Sequence, residues 1–240
     1  MGAFLDGPFY SHTQGYDPQS MLAAIEHLED VIDEAGPFDG VLGFSQGAAV
    51  ALSYLHLRQS LNEPSAFKFA LCFSSVMPCS ADIDFGQGII QRICSLEPNF
   101  LADTGTGAHV TTSATMDEVA QFCRLLHDTV IPAQKNSALL PDYDMAIYTS
   151  GNGATAAPRL MHRSLTETRI RIPTIHVSGK RDAVFMRNMS EAARGLCEDG
   201  CLKRLEHSGG HQPPQKDAEV KAAIRAMDWA IRESSIRYNL

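Results

Sequence analysis

The spacing of apolar side chains along the chain alternates between two patterns. Apolar positions that recur at helical spacing predict helices over residues 19–35, 46–58, 189–196 and 217–231. Short apolar runs, typical of strands buried on both faces, occupy residues 38–43, 68–76, 171–179 and 202–206. Because these strands alternate with helices, the pattern predicts an α/β fold with a mainly parallel sheet and helices on both faces.

One long stretch, residues 80–167, interrupts this alternation. It separates the second and third predicted strands by far more chain than a crossover helix needs. It contains helix-like segments at 87–96, 116–129 and 133–139 and a Gly/Ala-rich segment at 150–157. We interpret it as a helical, lid-like insertion over the sheet edge, within a single domain that spans residues 1–240.

Composition and charge exclude several functions. The chain has 240 residues, with 20 Lys and Arg against 28 Asp and Glu and a net charge of -8. An acidic surface repels phosphate, so neither nucleic acid nor a membrane is expected as a partner. No apolar run is long enough to span a bilayer, and the first residues lack the features of a secretory signal. We therefore expect a cytoplasmic protein with reduced cysteines.

A metal site near the C-terminus is an alternative that the sequence disfavours. Cys197 and Cys201 lie four residues apart and close to His207 and His211. This spacing matches no common zinc pattern, and the segment between the cysteines is typical of a turn between a helix and a strand. No metal and no other cofactor is expected.

A Gly-x-Ser-x-Gly motif, from Gly43 through Phe44, Ser45 and Gln46 to Gly47, carries the main chemical signal. It follows a predicted strand and opens an Ala-rich predicted helix, the setting of a nucleophile elbow. There Ser45 would present its Oγ at the sheet edge, and the Gln46 backbone N–H would face an oxyanion. Side chains at Gly43 and Gly47 would collide with the neighbouring strand and helix. The alternative is a packing turn with an idle serine.

Two later loops offer partners for Ser45. Asp182 follows the third predicted strand, at the same sheet edge, although alone it could be a solvated loop residue. Two histidines, His207 and His211, follow the fourth strand; we favour His211 because the glycines at 209–210 let it reach back over the edge. The order Ser, Asp, His is that of α/β-hydrolases. His176, within a predicted strand, is expected to be a core or an edge-strand residue.

Three segments together resemble the fungal family of small serine hydrolases: residues 36–48, 172–182 and 209–211. The resemblance implies an α/β-hydrolase with Ser45 as nucleophile, Asp182 as orienting residue and His211 as base. It also implies an esterase or thioesterase of secondary-metabolite biosynthesis, similar to the lovastatin-type esterases that release a polyketide. The implied substrate is a small-molecule acyl ester or thioester, and the candidate partner is a polyketide synthase carrier domain.

The sequence departs from this family at its beginning. The strand and His-Gly loop that usually come first, and that supply a second oxyanion donor, have no counterpart ahead of the first predicted helix. Either the natural start lies upstream of Met1, or the protein has lost this segment and its sheet is N-terminally shortened. Two functions remain open at this point: an active serine esterase or thioesterase, or a catalytically impaired hydrolase that acts as a binding or scaffold protein.

Overall fold

Four parallel strands form the sheet of the computed structural model, which describes residues 11–95, 114–138, 145–148 and 153–238. They follow one another across the sheet in chain order, and every pairing between neighbours is parallel. They are β1 (Gly40–Phe44), β2 (Phe69–Phe73), β3 (Thr174–Gly179) and β4 (Leu202–His207). The prediction of a mainly parallel sheet is confirmed, and each strand coincides closely with a predicted apolar run.

The helices in the described ranges are α1 (Pro18–Ala35), α2 (Gln46–Ser60), α3 (Gln87–Cys94), α4 (Ala114–Leu125), α5 (Ile131–Lys135), α6 (Gly153–Ala156), α7 (Val184–Arg194) and α8 (Asp217–Tyr238). A π-helical segment, Leu126–Val130, joins α4 to α5, and short 3₁₀ turns occupy Met145–Tyr148 and Asp199–Cys201. None of these helices has both the length and the apolar character needed to cross a bilayer.

Helix α7 begins earlier than the apolar pattern predicts. The prediction placed its start at Met189, whereas the structure places it at Val184. The first turn exposes Val184 but buries Met186, which begins the stripe that Met189 and Ala193 continue. The apolar stripe therefore extends about one turn further toward the N-terminus than the prediction assigned.

The sheet is covered on both faces. On one face Leu52 of α2, Ala193 of α7 and Leu196, just after α7, are buried in one cluster with Ala70 and Cys72 of β2. On the other face α8 packs Ala226 and Ala230 against alternate strand residues, namely Leu71, Phe73, Ile175 and Val177. This alternation along β2 and β3 is the two-residue period of a strand buried on both sides. Together the two layers confirm the predicted architecture.

Strand β1 has one neighbouring strand, β2, in the described part of the chain. Leu42 of β1 pairs in register with Leu71, so both side chains lie on the face that α8 covers. Helix α8 contacts β2, β3 and β4, and Leu42 is 65% exposed. The shortened sheet stays a prediction, because residues 1–10 lie outside the described ranges.

The long insertion leaves and rejoins the sheet layer through a narrow neck. Cys79 and Leu160 form an antiparallel bridge. Beside it, the Ser80 N–H donates to the Arg159 carbonyl at 2.8 Å, and the Met161 N–H donates to the Pro78 carbonyl at 3.0 Å. The neck therefore closes a few residues before the predicted end at 167. The single-domain organisation and the lid role stay predictions.

The insertion packs over the end of β2 and against α7. Its buried side chains include Phe122, Leu126, Val130 and Tyr148, which join one core cluster with Val76, Met77, Met186 and Met189. In addition, the Asn188 side-chain amide of α7 donates to the Asp128 carbonyl at 3.0 Å. The described insertion helices thus share a core with the segments that follow β2 and precede β4.

A buried arginine ties the insertion together. Arg159 is only 1% exposed, and burial lowers the pKa of its guanidinium. No carboxylate in the described ranges lies within ion-pair distance of it; instead, the guanidinium donates to neutral oxygens. These are the carbonyls of Ile83 (3.1 Å), Ala157 (3.0 Å) and Ala154 (2.5 Å) and Oε1 of Gln87 (2.6 Å).

Replacing Arg159 with leucine should lower the free energy of unfolding by about 3 kcal/mol. Each buried oxygen that loses its donor costs about 1–3 kcal/mol. Part of this cost is offset because the variant no longer buries a charge. Urea unfolding followed by circular dichroism measures this change. The control is Arg92→Leu, which removes a partly exposed ion pair with Glu118 and should cost less than about 1 kcal/mol. Equal stability losses in the two variants would contradict the prediction.

Candidate active site

Ser45 occupies the sharp turn between β1 and α2. Its φ of 52° and ψ of -115° are unusual for a residue with a side chain and cost about 1–3 kcal/mol. The surrounding backbone holds this conformation: the Ser45 N–H donates to the Phe73 carbonyl at 2.9 Å, and the Ser45 carbonyl accepts from Ala49 and Val76 at 3.2 and 3.3 Å. The turn lies at the carboxyl end of the parallel strands, as an elbow does.

The two motif glycines have different structural roles. A Cβ on Gly43 would lie 2.5 Å from backbone atoms of Ala48, so glycine is needed for the close approach of strand and helix, as expected. Gly47 departs from the expectation. A Cβ there would meet His12 Nε2 at 3.3 Å rather than the strand or helix backbone. Gly47 therefore makes room for the chain segment that precedes α1.

Gln46 has two polar groups near the Ser45 turn, its backbone N–H and its side-chain amide. Its N–H is at the first position of α2, where amides have no carbonyl partner within the helix and carry partial positive charge. Its side-chain Oε1 accepts the His12 N–H at 2.8 Å. This contact joins residues 34 apart in the chain, so the motif, which points only to the Gln46 backbone N–H, does not predict it.

Ser45, His211 and Asp182 form one hydrogen-bonded chain. His211 Nε2 lies 2.9 Å from Ser45 Oγ, and His211 Nδ1 lies 2.8 Å from Asp182 Oδ2. Because a carboxylate only accepts, we assign the ring hydrogen to Nδ1, which leaves Nε2 to accept from the hydroxyl. The other Asp182 oxygen accepts the Ala183 N–H at 2.8 Å. The structure thus brings together three residues from three loops at one sheet edge.

An aromatic ring covers part of the imidazole. The ring centres of Phe44 and His211 are 5.1 Å apart, with planes tilted by 41°. Phe44 is the residue directly before Ser45, so the strained turn places it beside the histidine. The sequence alone assigns Phe44 no role, because its neighbour His211 lies in a loop more than 160 residues later.

The structure gives different surroundings to His207, at the end of β4, and to His211, in the loop that follows. His207 is 2% exposed, and its Nδ1 accepts the Gly209 N–H at 3.1 Å, so this ring is turned into its own loop. His211 is the one beside Ser45. His176 lies buried in β3, with Nε2 3.4 Å from Cys197 Sγ, and burial, aided by Arg194, lowers its pKa to about 3. It is a neutral core residue, which decides between the two positions expected for it, in the core or on an edge strand.

The cysteines near these histidines are buried thiols. Burial is the main cause that raises the pKa of Cys197 to about 12 and of Cys201 to about 11. The cysteine residues Cys72, Cys79, Cys94, Cys123, Cys197 and Cys201 are all free. In the described ranges, no cluster of three or more potential ligand side chains is arranged around a metal position.

Comparison with known proteins identifies the family to which the chain belongs. The family model described as "Serine hydrolase (FSH1)" matches residues 8–223. The chain belongs to the FSH1 serine hydrolase family. It is therefore a hydrolase with an α/β-hydrolase fold, and the resemblance found from the short motifs is confirmed.

Several fungal FSH1-like relatives span nearly the whole chain. Esterase alnB of Emericella nidulans is 34% identical over 238 residues, which cover 98% of this chain and 81% of the relative. Serine hydrolase cnsH of Penicillium expansum is 27% identical, with 96% and 93% covered. Hydrolase FUB4 of Fusarium oxysporum f. sp. lycopersici is 26% identical, with 89% and 74% covered.

A narrow apolar cleft of about 10 Å³ lies between the insertion and the sheet layer of this FSH1 hydrolase. It is lined by Tyr16, Val76, Met77, Cys79, Val130, Leu160 and Met189. The Val76 N–H donates to the Ser45 carbonyl, but neither Ser45 nor His211 borders the cleft. Residues of the insertion and of the sheet layer both contribute walls.

A second cavity, of about 280 Å³, lies between α7 and the strands β3 and β4. Its lining is polar and includes Arg187, Arg194, Arg204, Glu191 and Glu206. Neither Ser45 nor His211 borders it. The apolar cleft, for its part, has room for about one water molecule.

Proposed function

We propose that this chain hydrolyses a carboxylic ester or thioester of an apolar acyl group, with Ser45 as nucleophile, His211 as general base and acid, and Asp182 as the residue that orients His211. The hydrogen-bonded chain from Ser45 Oγ through His211 to Asp182 carries the proposal. Serine, histidine and carboxylate in this arrangement are the parts that acyl transfer needs, because each supplies a function the others lack.

In the first half of the reaction, Ser45 Oγ attacks the substrate carbonyl carbon and His211 Nε2 takes the hydroxyl proton. The carbonyl oxygen becomes an oxyanion, which the Gln46 N–H at the start of α2 stabilises. When the tetrahedral intermediate collapses, the bond to the leaving group breaks. His211 then returns the proton to the alcohol or thiol that departs, and an acyl-Ser45 ester remains.

In the second half, water replaces the leaving group. His211 Nε2 takes a proton from the attacking water, the acyl carbon passes through a second tetrahedral intermediate, and the proton returns to Ser45 Oγ. The acid is released and the serine is restored. Asp182 stays hydrogen-bonded to Nδ1 throughout and stabilises the imidazolium that forms in each half.

The apolar side chains that the insertion brings close to the Ser45 turn support an apolar acyl group. Val130 and Leu160 of the insertion line one narrow cleft with Val76, whose N–H donates to the Ser45 carbonyl. Each methylene of a substrate that such side chains bury contributes about 0.8 kcal/mol of binding. The sequence resemblance to polyketide-releasing esterases extends the proposal to a role in secondary-metabolite biosynthesis. In that role the acyl group would arrive as a thioester on a polyketide synthase carrier domain.

Labelling with a fluorophosphonate probe tests the proposed nucleophile. We expect the wild-type chain to form one covalent adduct, which peptide mass spectrometry places on Ser45, and Ser45→Ala to form none. Ser60→Ala is the matched control, because Ser60 ends α2 and is exposed. It should label like the wild type. A folded wild-type chain that does not label would instead favour the binding or scaffold function.

A further inference from the structure

The loop that carries His211 has little in its own sequence to hold it in place. It connects β4 to α8 and contains two adjacent glycines, Gly209 and Gly210, which are the residues with the greatest backbone freedom. Yet His211 must keep Nε2 and Nδ1 within 2.9 and 2.8 Å of their two partners. Contacts from outside the loop must therefore fix its position.

On one side, the loop is fixed by the segment that leads to Asp182. The Lys180 N–H donates to the His207 carbonyl and the Arg181 N–H donates to the Gly209 carbonyl, both at 2.9 Å. The Arg181 side chain adds a bond from Nε to the Ser208 carbonyl at 2.6 Å. These bonds align the loop with the Asp182 loop but leave the Ser208 N–H to a different partner.

That partner is Glu219, in the first turn of α8. Its Oε1 accepts the Ser208 N–H at 2.8 Å. The hydrogen bonds from Ser208 lower the pKa of Glu219 below its usual value. A hydrogen bond to a charged acceptor is roughly twice as strong as one between neutral groups. Both backbone polar groups of Ser208 are thus held, the carbonyl by Arg181 and the N–H by Glu219.

We propose that Glu219 is a positioning residue for the reaction. It anchors Ser208 to α8 and so fixes the position of His211, three residues later, relative to the sheet edge. This inference rests on the proposed function of His211 as the base. Glu219 does not itself reach the nucleophile, so its effect on catalysis passes through the loop. The anchor joins the imidazole to a helix that packs on three strands of the sheet.

Glu219→Ala should lower kcat by about 10- to 100-fold, because small misplacements of a catalytic group have effects of this size. KM should stay within about twofold, since the substrate does not touch Glu219. Glu219→Gln keeps an acceptor oxygen and should recover most of the rate. The matched control is Asp217→Asn, which alters the same turn of α8, where Asp217 pairs with exposed Lys221. It should leave kcat unchanged.

A readout that needs no turnover separates this inference from the proposed function. The His211 Nδ1 proton, which faces Asp182, should give a downfield proton resonance that disappears in His211→Ala. In Glu219→Ala this resonance should shift or broaden, whereas in Glu219→Gln and Asp217→Asn it should stay in place. An unchanged resonance together with a wild-type kcat in Glu219→Ala would overturn the inference. A wild-type chain that shows the resonance but no hydrolysis would overturn the proposed function instead.

Discussion

Replacing His211 with alanine is expected to lower kcat by about 10⁶-fold, the order of loss seen when a triad base is removed. His211 Nε2 is the group that lies 2.9 Å from Ser45 Oγ. Without it the hydroxyl keeps its proton and is a poor nucleophile at neutral pH. Steady-state hydrolysis of a chromogenic acyl ester measures the loss, and the rate of fluorophosphonate labelling should fall in parallel.

His207 provides the matched comparison for this experiment. Its Nδ1 accepts the Gly209 N–H, an interaction that the Oδ1 of an asparagine side chain can replace. His207→Asn should therefore keep kcat within about tenfold of the wild type, since it changes packing near the loop but not the base. A loss in His207→Asn as large as that in His211→Ala would contradict the assignment of His211.

Replacing Asp182 with asparagine is expected to lower kcat by about 10⁴-fold. Both carboxylate oxygens accept hydrogen bonds, one from the Ala183 N–H and one from His211 Nδ1. Asparagine offers one accepting oxygen. Because the Ala183 N–H is a fixed donor, the asparagine oxygen should face it and turn its NH₂ group toward the ring. The imidazole would then carry its hydrogen on Nε2 and could not accept the proton of Ser45.

Kinetics and stability together check this explanation for Asp182. Asparagine has nearly the shape of aspartate, so thermal unfolding of Asp182→Asn should remain cooperative while kcat falls. Asp199→Asn, at an exposed position in the turn before β4, serves as the control and should keep full activity. A loss of less than about tenfold in Asp182→Asn would show that another group orients the base.

The parallel sheet and the proximity of Ser45, Asp182 and His211 could be predicted because both depend on local sequence. Strands buried on both faces appear as continuous apolar runs, and parallel strands end at a common edge. Asp182 and His211 each follow such a run, so their convergence near Ser45 follows from topology. The choice of His211 over His207 depended on the two glycines that precede it, which is again a local feature.

The contacts that support the site could not be predicted in this way. Glu219, Arg159 and His12 each take part in a hydrogen bond between a side chain and a backbone group, and such bonds leave no pattern in the sequence. Arg159 and the Ile83 carbonyl, for example, are 76 residues apart and share no periodicity. The neighbour of Gly47 could not be predicted either, because it is His12 rather than the strand that the motif implies.

The narrow neck at Cys79 and Leu160 has a consequence for how the insertion can vary. The two ends of the insertion lie side by side, so a segment of different length can close there at little extra cost in loop entropy. Ser45, Asp182 and His211 all lie outside it, in loops of the sheet layer. The insertion can thus be exchanged as a module while the scaffold that holds these three residues stays unaltered.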